Sequence, residues 1–199
     1  FPYTTLFRSG GDGSRASGGD LDHRRGGAVT GHEYKLLVAR YVAAVYGPRG
    51  VDIYDEVTVG TTIIGKPRRI DLLLLERGQA GPRAEGRALA VECKYQDSSG
   101  TVDEKIPYAL EDLRSLRMPG VIVYAGSGFS EGVLHLLKAS PMAAYCLPDE
   151  SLKPLARSRS SDAIHGGTWQ LDHVLAQTFG FWDVILGDRR PLAFVRSES

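Results

Sequence analysis

Two short aliphatic segments, separated by a stretch rich in turn-forming residues, most constrain what this chain can fold into. Residues 69–75 (RIDLLLL) and 88–95 (ALAVECKY) have the length and composition of β-strands. The stretch between them contains Gly81-Pro82, its strongest turn signal. The pattern therefore predicts two antiparallel neighbouring strands with the turn centred on Gly81-Pro82.

Charged residues interrupt both predicted strands. This turn places Asp71 directly opposite Glu92, and directly opposed residues share one face of a sheet. Because side chains alternate along a strand, Lys94 lies on the face of Glu92, while Cys93 points into a core. The sequence thus predicts a cluster of Asp71, Glu92 and Lys94 at the end of a hairpin, with Gln96 as a further candidate.

Such a cluster needs a physical explanation. Two carboxylates about 5 Å apart repel each other by roughly 3 kcal/mol at an effective dielectric constant of about 20, and one lysine relieves this only in part. A divalent cation relieves it fully, and ligands that offer only oxygen suit Mg²⁺ or Mn²⁺. The alternative is a structural ion pair, or solvated positions on a half-exposed strand.

The remaining apolar spacing predicts an α/β fold. Tyr34, Leu37, Val38 and Tyr41 follow the spacing of a helix packed on one side, and Thr30 with Glu33 fits a capping box at its start. The predicted elements are a helix over 30–46, strands over 51–59, 69–75 and 88–95, a helix from about 103 or 107 to 117, a strand over 121–125, a helix over 130–139, a strand over 142–146, a short helix near 151 and a helix over 171–178. This order implies one mixed central sheet flanked by helices, antiparallel at its front and parallel at its back.

The first thirty residues differ from the rest. Residues 10–31 contain eight glycines and almost nothing that could pack, which predicts a disordered N-terminal segment over residues 1–30. Residues 1–9 look like the translation of a sequencing adapter, so we expect them to be non-native. Residues 31–199 are then a single domain with a C-terminal helical extension.

Composition excludes several classes of protein. The 24 Lys and Arg residues balance 24 Asp and Glu residues, which disfavours a protein that grips polyanions with its whole surface. Apolar segments fall far below the roughly 20 residues that span a bilayer, so we expect no membrane partner. Two cysteines cannot form a disulfide framework, and we expect a cytoplasmic protein.

These residues carry a family resemblance. Asp71, followed after twenty residues by Glu92-Cys93-Lys94, resembles the D-x(n)-(D/E)-x-K signature of the PD-(D/E)XK nuclease superfamily, which includes many restriction endonucleases. The order of helix, hairpin, helix and strand over residues 33–123 agrees with it, and a glutamine placed like Gln96 occurs in a subset of the superfamily. The resemblance implies a restriction endonuclease-like α-β-β-β-α-β core. Ile70 stands where the family name places proline, a position that supplies no ligand.

The resemblance also implies an activity: Mg²⁺-dependent hydrolysis of phosphodiester bonds in DNA, with Mn²⁺ expected to substitute. Asp71, Glu92 and the backbone carbonyl of Cys93 would hold the ion. A free lysine has a pKa of about 10.4, and adjacent carboxylates raise it, so we expect a charged Lys94 that orients water and stabilises the transition state. Glu33 would bind a second metal or a metal-bound water, or else serve only the capping box.

Neighbouring segments supply candidate nucleic-acid contacts. Lys66, Arg68 and Arg69 could hold flanking phosphates, or else form a solvated turn. Lys105 and Tyr108 lie where the next helix begins, although Tyr108 could equally be a core aromatic. The sequence thus favours an endonuclease of the restriction, phage or repair type, and a homodimer would supply the two copies needed to cut both strands.

Two other functions remain open at this point. Gly126-Ser127-Gly128 follows a predicted strand and precedes a predicted helix, as in a Rossmann-like dinucleotide-binding enzyme. In that case the cluster of Asp71 and Glu92 would be structural. A non-catalytic DNA-binding module with the same fold is the third possibility.

Overall fold

The computed structural model describes residues 29–78, 86–98, 100–154 and 167–192. Residues 1–28 of the N-terminal segment predicted to be disordered over 1–30, and the Gly81-Pro82 turn, lie outside the described residues. Thr30, at the end of that segment, is ordered and caps the first helix. The helices are α1 (Gly31–Tyr46), α2 (Val102–Arg114), α3 (Glu131–Ala139), α4 (Trp169–Phe179) and α5 (Asp183–Leu186), and the strands are β1 (Val51–Thr61), β2 (Pro67–Glu76), β3 (Ala88–Tyr95), β4 (Gly120–Ala125) and β5 (Ala143–Tyr145). A short 3₁₀ turn, Gly47–Arg49, joins α1 to β1.

The strands form one mixed sheet, as the sequence predicts. Their order is β1-β2-β3-β4-β5, antiparallel from β1 to β3 and parallel from β3 to β5. Leu72 pairs with Val91, and Leu75 pairs with Ala88. This confirms the predicted register, and Asp71 and Glu92 come directly after the last pair of the ladder.

Helices cover both faces of the sheet. On one face, α1 and α4 bury Val38 and Leu171 against strand residues such as Leu72 and Val91. On the other, α2 and α3 bury Ile106 and Leu137 with residues that include Ile122. Each such aliphatic side chain contributes about 1.5–3 kcal/mol on burial, so the two cores fix the sheet between its helices. Cys93 and Cys146 are free thiols buried in the first core, which agrees with the inward direction predicted for Cys93.

The β1–β2 hairpin bends where the site lies. Ile53 and Leu72 pack in the core beneath α1, whereas Val57 and Ile70, a few residues further along, pack in the core beneath α2. Glu56, at the change, has a left-handed backbone with φ of 50°. Asp55 and Val57 pair with Leu72 and Ile70, so Glu56 lies opposite Asp71. The side chains of both strands switch from one face of the sheet to the other at these two residues. The outer part, residues 57–70, which we call the arm, therefore leans over α2.

Three local predictions differ from the structure. The short helix predicted near Ser151 is wrong: a turn forms instead, in which Leu152 adopts φ of 49° and Asp149 accepts hydrogen bonds from Ser151. The helix predicted from about 103 or 107 to 117 runs from Val102 to Arg114, so Pro107 lies inside it, beyond the first turn where proline is favoured. Strands β1 and β2 extend to Thr61 and from Pro67, beyond their predicted ends, because the arm packs on α2.

Candidate active site

Asp71, Glu92 and Lys94 converge on one side of the hairpin, and we call them the acid–lysine cluster. Lys94 Nζ lies 3.0 Å from Glu92 Oε2 and 4.0 Å from Asp71 Oδ2. Asp71 Oδ2 also accepts a 2.8 Å hydrogen bond from the backbone N–H of Cys93. The carboxylate of Asp71 therefore reaches across to β3, and the two acids share one ammonium group.

Partial burial shifts the pKa values of the charged groups in this cluster. The side chains of Glu92 and Lys94 are only 17% and 21% exposed. Burial raises the pKa of Glu92, an effect that Lys94 opposes and Asp71 reinforces. Burial alone would lower the pKa of Lys94, but Glu92 and Asp71 outweigh it, so this pKa is raised. Lys94 is thus held in its charged form. An additional cation would lower the electrostatic repulsion between the two carboxylates beside it.

Gln96 lies outside the acid–lysine cluster. It follows the last residue of β3, and its buried Nε2 donates to Asp103 Oδ1 at 3.0 Å and to the carbonyl of Gly128 at 2.7 Å. The side chain therefore ties the end of β3 to the start of α2 and to the loop after β4. Period-2 alternation fails here because the strand ends at Tyr95.

Glu33 forms the capping box that the sequence suggested. Its Oε2 accepts from Thr30 N at 2.7 Å, and Thr30 Oγ1 accepts from Glu33 N at 3.1 Å. Across the described ranges, no three His, Cys, Asp or Glu side chains group in a way that could hold a metal ion. The proposed metal role of Glu33 therefore has no geometric support in this conformation.

A cleft of about 490 Å³ opens beside the cluster and joins it to the arm and α2. Glu92 and Lys94 line its floor, and Lys105 and Tyr108 of α2 line one wall. Arg69, whose side chain is 67% exposed and pairs with Glu56 at 3.3 Å, lines the wall formed by the arm. The structure therefore brings three of the predicted nucleic-acid contacts to the cluster. Tyr108 is 41% exposed and is not a core residue, while Lys66 is exposed at the tip of the arm.

Arg68 is engaged differently from the prediction. It is buried, and its Nε and Nη2 donate to the two carboxylate oxygens of Asp112 at 2.7 and 2.9 Å. Its Nη2 also donates to Ser115 Oγ, so two of its three nitrogens are engaged within the protein, although Arg68 also lines the cleft. Asp112 also accepts from the backbone N–H of Ile63 at 2.9 Å. Sequence reasoning missed Asp112 because it lies at the edge of the apolar stripe of α2 and is buried only by the arm.

The Gly126-Ser127-Gly128 turn is explained by packing. A Cβ at Gly126 would lie 2.2 Å from the carbonyl oxygen of Gln96, and one at Gly128 would lie 2.3 Å from the amide nitrogen of Ser98. Gly126 also has φ of 109°. Both glycines are therefore required for the loop to approach the end of β3, and this gives the dinucleotide-binding interpretation no support.

No helix within the described ranges is long and apolar enough to cross a membrane.

Comparisons with known proteins place the chain in a family. Residues 30–182, which include the whole acid–lysine cluster, match the PD-(D/E)XK nuclease superfamily domain. Among solved structures, a protein of unknown function, AF1548, is similar with a TM-score of 0.37 and 14% identity over 72% of this chain and 78% of that one. The MspJI restriction endonuclease, solved in complex with a 27-mer oligonucleotide, is similar with a TM-score of 0.33 and 18% identity over 85% of this chain and 35% of that one. A search of curated protein sequences finds no match. By the family match over residues 30–182, the chain belongs to the PD-(D/E)XK nuclease superfamily.

Proposed function

We propose that this protein is a Mg²⁺-dependent endonuclease that hydrolyses phosphodiester bonds in DNA, of the restriction, phage or repair type. The observation that carries the proposal is the acid–lysine cluster beside a cleft lined by Arg69, Lys105 and Tyr108. Membership of the superfamily supports nuclease activity in general. That the substrate is DNA, that the metal is Mg²⁺ and that cleavage is endonucleolytic are parts of our proposal.

The donor chemistry of the cluster fits a divalent metal ion. Asp71 Oδ2 and Glu92 Oε2 are at most about 7 Å apart because both lie close to Lys94 Nζ, and a small side-chain rotation would let them share one ion with bonds of about 2.0–2.6 Å. With the backbone carbonyl of Cys93 they would form an all-oxygen set, which is the ligand type that Mg²⁺ prefers. A bound Mg²⁺ would lower the pKa of its water and neutralise charge on the phosphate, and Mn²⁺ accepts the same ligands.

Lys94 acts as a fixed positive charge in this proposal. The ordinary pKa of a lysine is about 10.4, and Glu92 and Asp71 raise the pKa of Lys94 further, so we propose a protonated group rather than a general base. Its ammonium group instead donates hydrogen bonds to the attacking water and to a non-bridging phosphate oxygen, where negative charge develops. Glu92, 3.0 Å away, orients this group.

The cleft would hold the DNA backbone. Lys105 and Arg69 on opposite walls are placed to contact phosphates on either side of the scissile bond, and Lys66 would contact a phosphate nearer the tip of the arm. Tyr108 offers an aromatic ring and a hydroxyl between them. One cluster cuts one strand, so we propose that a homodimer cleaves both.

The test is cleavage of supercoiled plasmid with Mg²⁺, comparing wild type with Asp71→Asn and Lys94→Met. We expect each substitution to slow cleavage at least about 100-fold, since each removes transition-state stabilisation. Glu76→Gln is the matched control, because Glu76 is an acid on the same strand that pairs with Arg87 rather than with the cluster. It should cleave at the wild-type rate.

Wild-type cleavage rates in both cluster variants would refute the proposal. Tight plasmid binding without cleavage by the wild type would favour the non-catalytic DNA-binding module. Degradation of linear but not circular DNA would make the enzyme an exonuclease. Linear product formed without a nicked intermediate, together with a sedimentation mass of two chains, would support the homodimer.

A further inference from the structure

The tip of the arm exposes two adjacent isoleucines. Ile63 is 50% exposed and Ile64 is 62% exposed. They are the two central residues of a turn closed by a 2.9 Å hydrogen bond from Gly65 N to the carbonyl of Thr62. Central turn positions favour Gly, Pro, Asn, Asp and Ser, and β-branched residues have no local reason to be there. Neither turn chemistry nor core packing explains this pair.

The turn is held rigidly despite its exposure. Ile63 N donates to Asp112 of α2, and Asp112 is fixed in turn by the two hydrogen bonds from buried Arg68. Thr62 N donates to the carbonyl of Lys66 at 2.7 Å, and Thr62 Oγ1 accepts from Lys66 N at 3.1 Å. The backbone that carries the two isoleucines is therefore fixed by hydrogen bonds. A preorganised contact loses little conformational entropy when it binds a partner.

The tip also continues the wall of the cleft. Thr62 and Pro67, on either side of the turn, line the cleft together with Glu92 and Lys94. Lys66, two residues after Ile64, and Arg69, which pairs with Glu56 at 3.3 Å, are exposed cations on the same arm. Apolar side chains gain nothing from phosphate, so beside these cations the complementary surface on a nucleic acid is the base stack. Small aliphatic residues that insert between base steps in this way unstack and kink a duplex.

We propose that Ile63 and Ile64 form a wedge that inserts into the base stack of duplex DNA held in the cleft. The inference rests on the proposed nuclease function and adds how the substrate is engaged. The tip lies about 15–20 Å along the arm from Asp71, at about 3.3 Å per residue. Since base pairs rise 3.4 Å, the wedge would open a step about four to six base pairs from the scissile phosphate.

The test uses a 30-base-pair duplex built around a cleavage position mapped from plasmid fragments. A 2-aminopurine is placed at successive steps from that position, and Ca²⁺ replaces Mg²⁺ to prevent cleavage. Fluorescence of 2-aminopurine rises when the base is unstacked. We expect wild type to raise it about threefold or more at a step four to six base pairs away. We expect the double variant Ile63→Ser/Ile64→Ser to bind the duplex without this rise.

A second measurement compares cleavage of the intact duplex with cleavage of one carrying a mismatch at the opened step. The double variant should cleave the intact duplex at least about tenfold more slowly than wild type, and the mismatch should restore most of the rate because the step is already unstacked. Leu136→Ser removes an exposed apolar side chain from α3 and is the matched control, with no expected effect on either readout. Thermal melting of all variants checks that they are folded.

The outcomes separate this inference from the proposed function. If the double variant cleaves the intact duplex as fast as wild type, or gives the same fluorescence rise, the wedge is wrong while the nuclease stands. If wild type cleaves no DNA under Mg²⁺, the proposed function has failed. If the double variant turns a dimer into a monomer and wild type leaves the 2-aminopurine stacked, the isoleucines belong to a contact between copies of this chain, which overturns the wedge.

Discussion

The ion pair between Arg68 and Asp112 should govern the stability of the arm, and its disruption gives the sharpest prediction. Their side chains are only 6% and 12% exposed. Asp112→Asn keeps the volume of the side chain and an oxygen that can accept from Ile63 N, but leaves the guanidinium without its counter-charge. Removing one partner of a buried pair costs about 3–5 kcal/mol, and we expect about 3 kcal/mol here because the pair lies at the edge of α2. This corresponds to a melting temperature lower by about 6–12 °C.

Urea unfolding followed by tryptophan fluorescence measures this loss, with the double variant Arg68→Met/Asp112→Asn as the control. The double variant no longer contains the buried guanidinium that Asp112→Asn leaves without a counter-charge, so it should recover part of the lost stability. The pKa of Asp112 is lowered, chiefly by its hydrogen bonds from Arg68. Its contribution is therefore present above the unfolded pKa of about 3.9 and disappears as the pH falls through the lower folded value. A cost below 1 kcal/mol for Asp112→Asn, or fully additive losses in the double variant, would refute this account.

Two further predictions test other parts of the fold. Gly126→Ala should destabilise the protein by more than about 2 kcal/mol or prevent folding, since its Cβ would overlap the carbonyl of Gln96. Gly132→Ala in α3 meets no neighbour and should be neutral or stabilising by up to about 1 kcal/mol in the same melting assay; equal effects of the two substitutions would contradict the packing explanation. Burial raises the pKa of Asp172, although Tyr41, Tyr46 and Thr168 donate hydrogen bonds to it. Its folded pKa lies above the unfolded value, so it favours folding most below about pH 3.9, and this contribution is lost as the pH rises through the folded pKa. The difference in stability between Asp172→Asn and wild type should therefore shift in favour of the variant between pH 4 and 7, and a constant difference across that range would count against it.

The core of the site could be predicted from sequence because it depends on local rules. Alternation along β3 placed Glu92 and Lys94 on one face, and the Gly81-Pro82 signal set the register that brings in Asp71. The order of the elements followed from apolar spacing in the same way. These features need only period, length and turn chemistry, each of which is written in contiguous residues.

The features that sequence reasoning missed depend on contacts between distant segments. Arg68 looks like a phosphate ligand until the arm is folded over α2, where Asp112, 44 residues away in sequence, neutralises it. Gln96 fits the alternation of β3, but the strand ends one residue earlier and the side chain turns to Gly128. Exposure of Ile64 cannot be inferred from a sequence in which isoleucine usually signals a core.

The bend in the hairpin connects these observations. With unbroken alternation, Ile70 would share the face of Leu72, and the arm would continue the sheet away from α2. The change of face at Glu56 and Asp71 instead sends the arm over α2, at the level where Asp71 reaches across to Cys93 N. The left-handed backbone of Glu56 costs about 1–2 kcal/mol.

Lys35 of α1 offsets this cost. Its buried ammonium lies 2.7 Å from the carboxylate of Asp55 and 3.0 Å from that of Glu56, so it holds the bend from the opposite face of the sheet. Burial opposes the charge on Lys35, yet the hydrogen bond to Asp55 outweighs it and the pKa is raised. Lys35 of α1 therefore contacts the bend at the residue that lies opposite Asp71, while Glu33, the residue of this helix that the sequence nominated, caps its first turn.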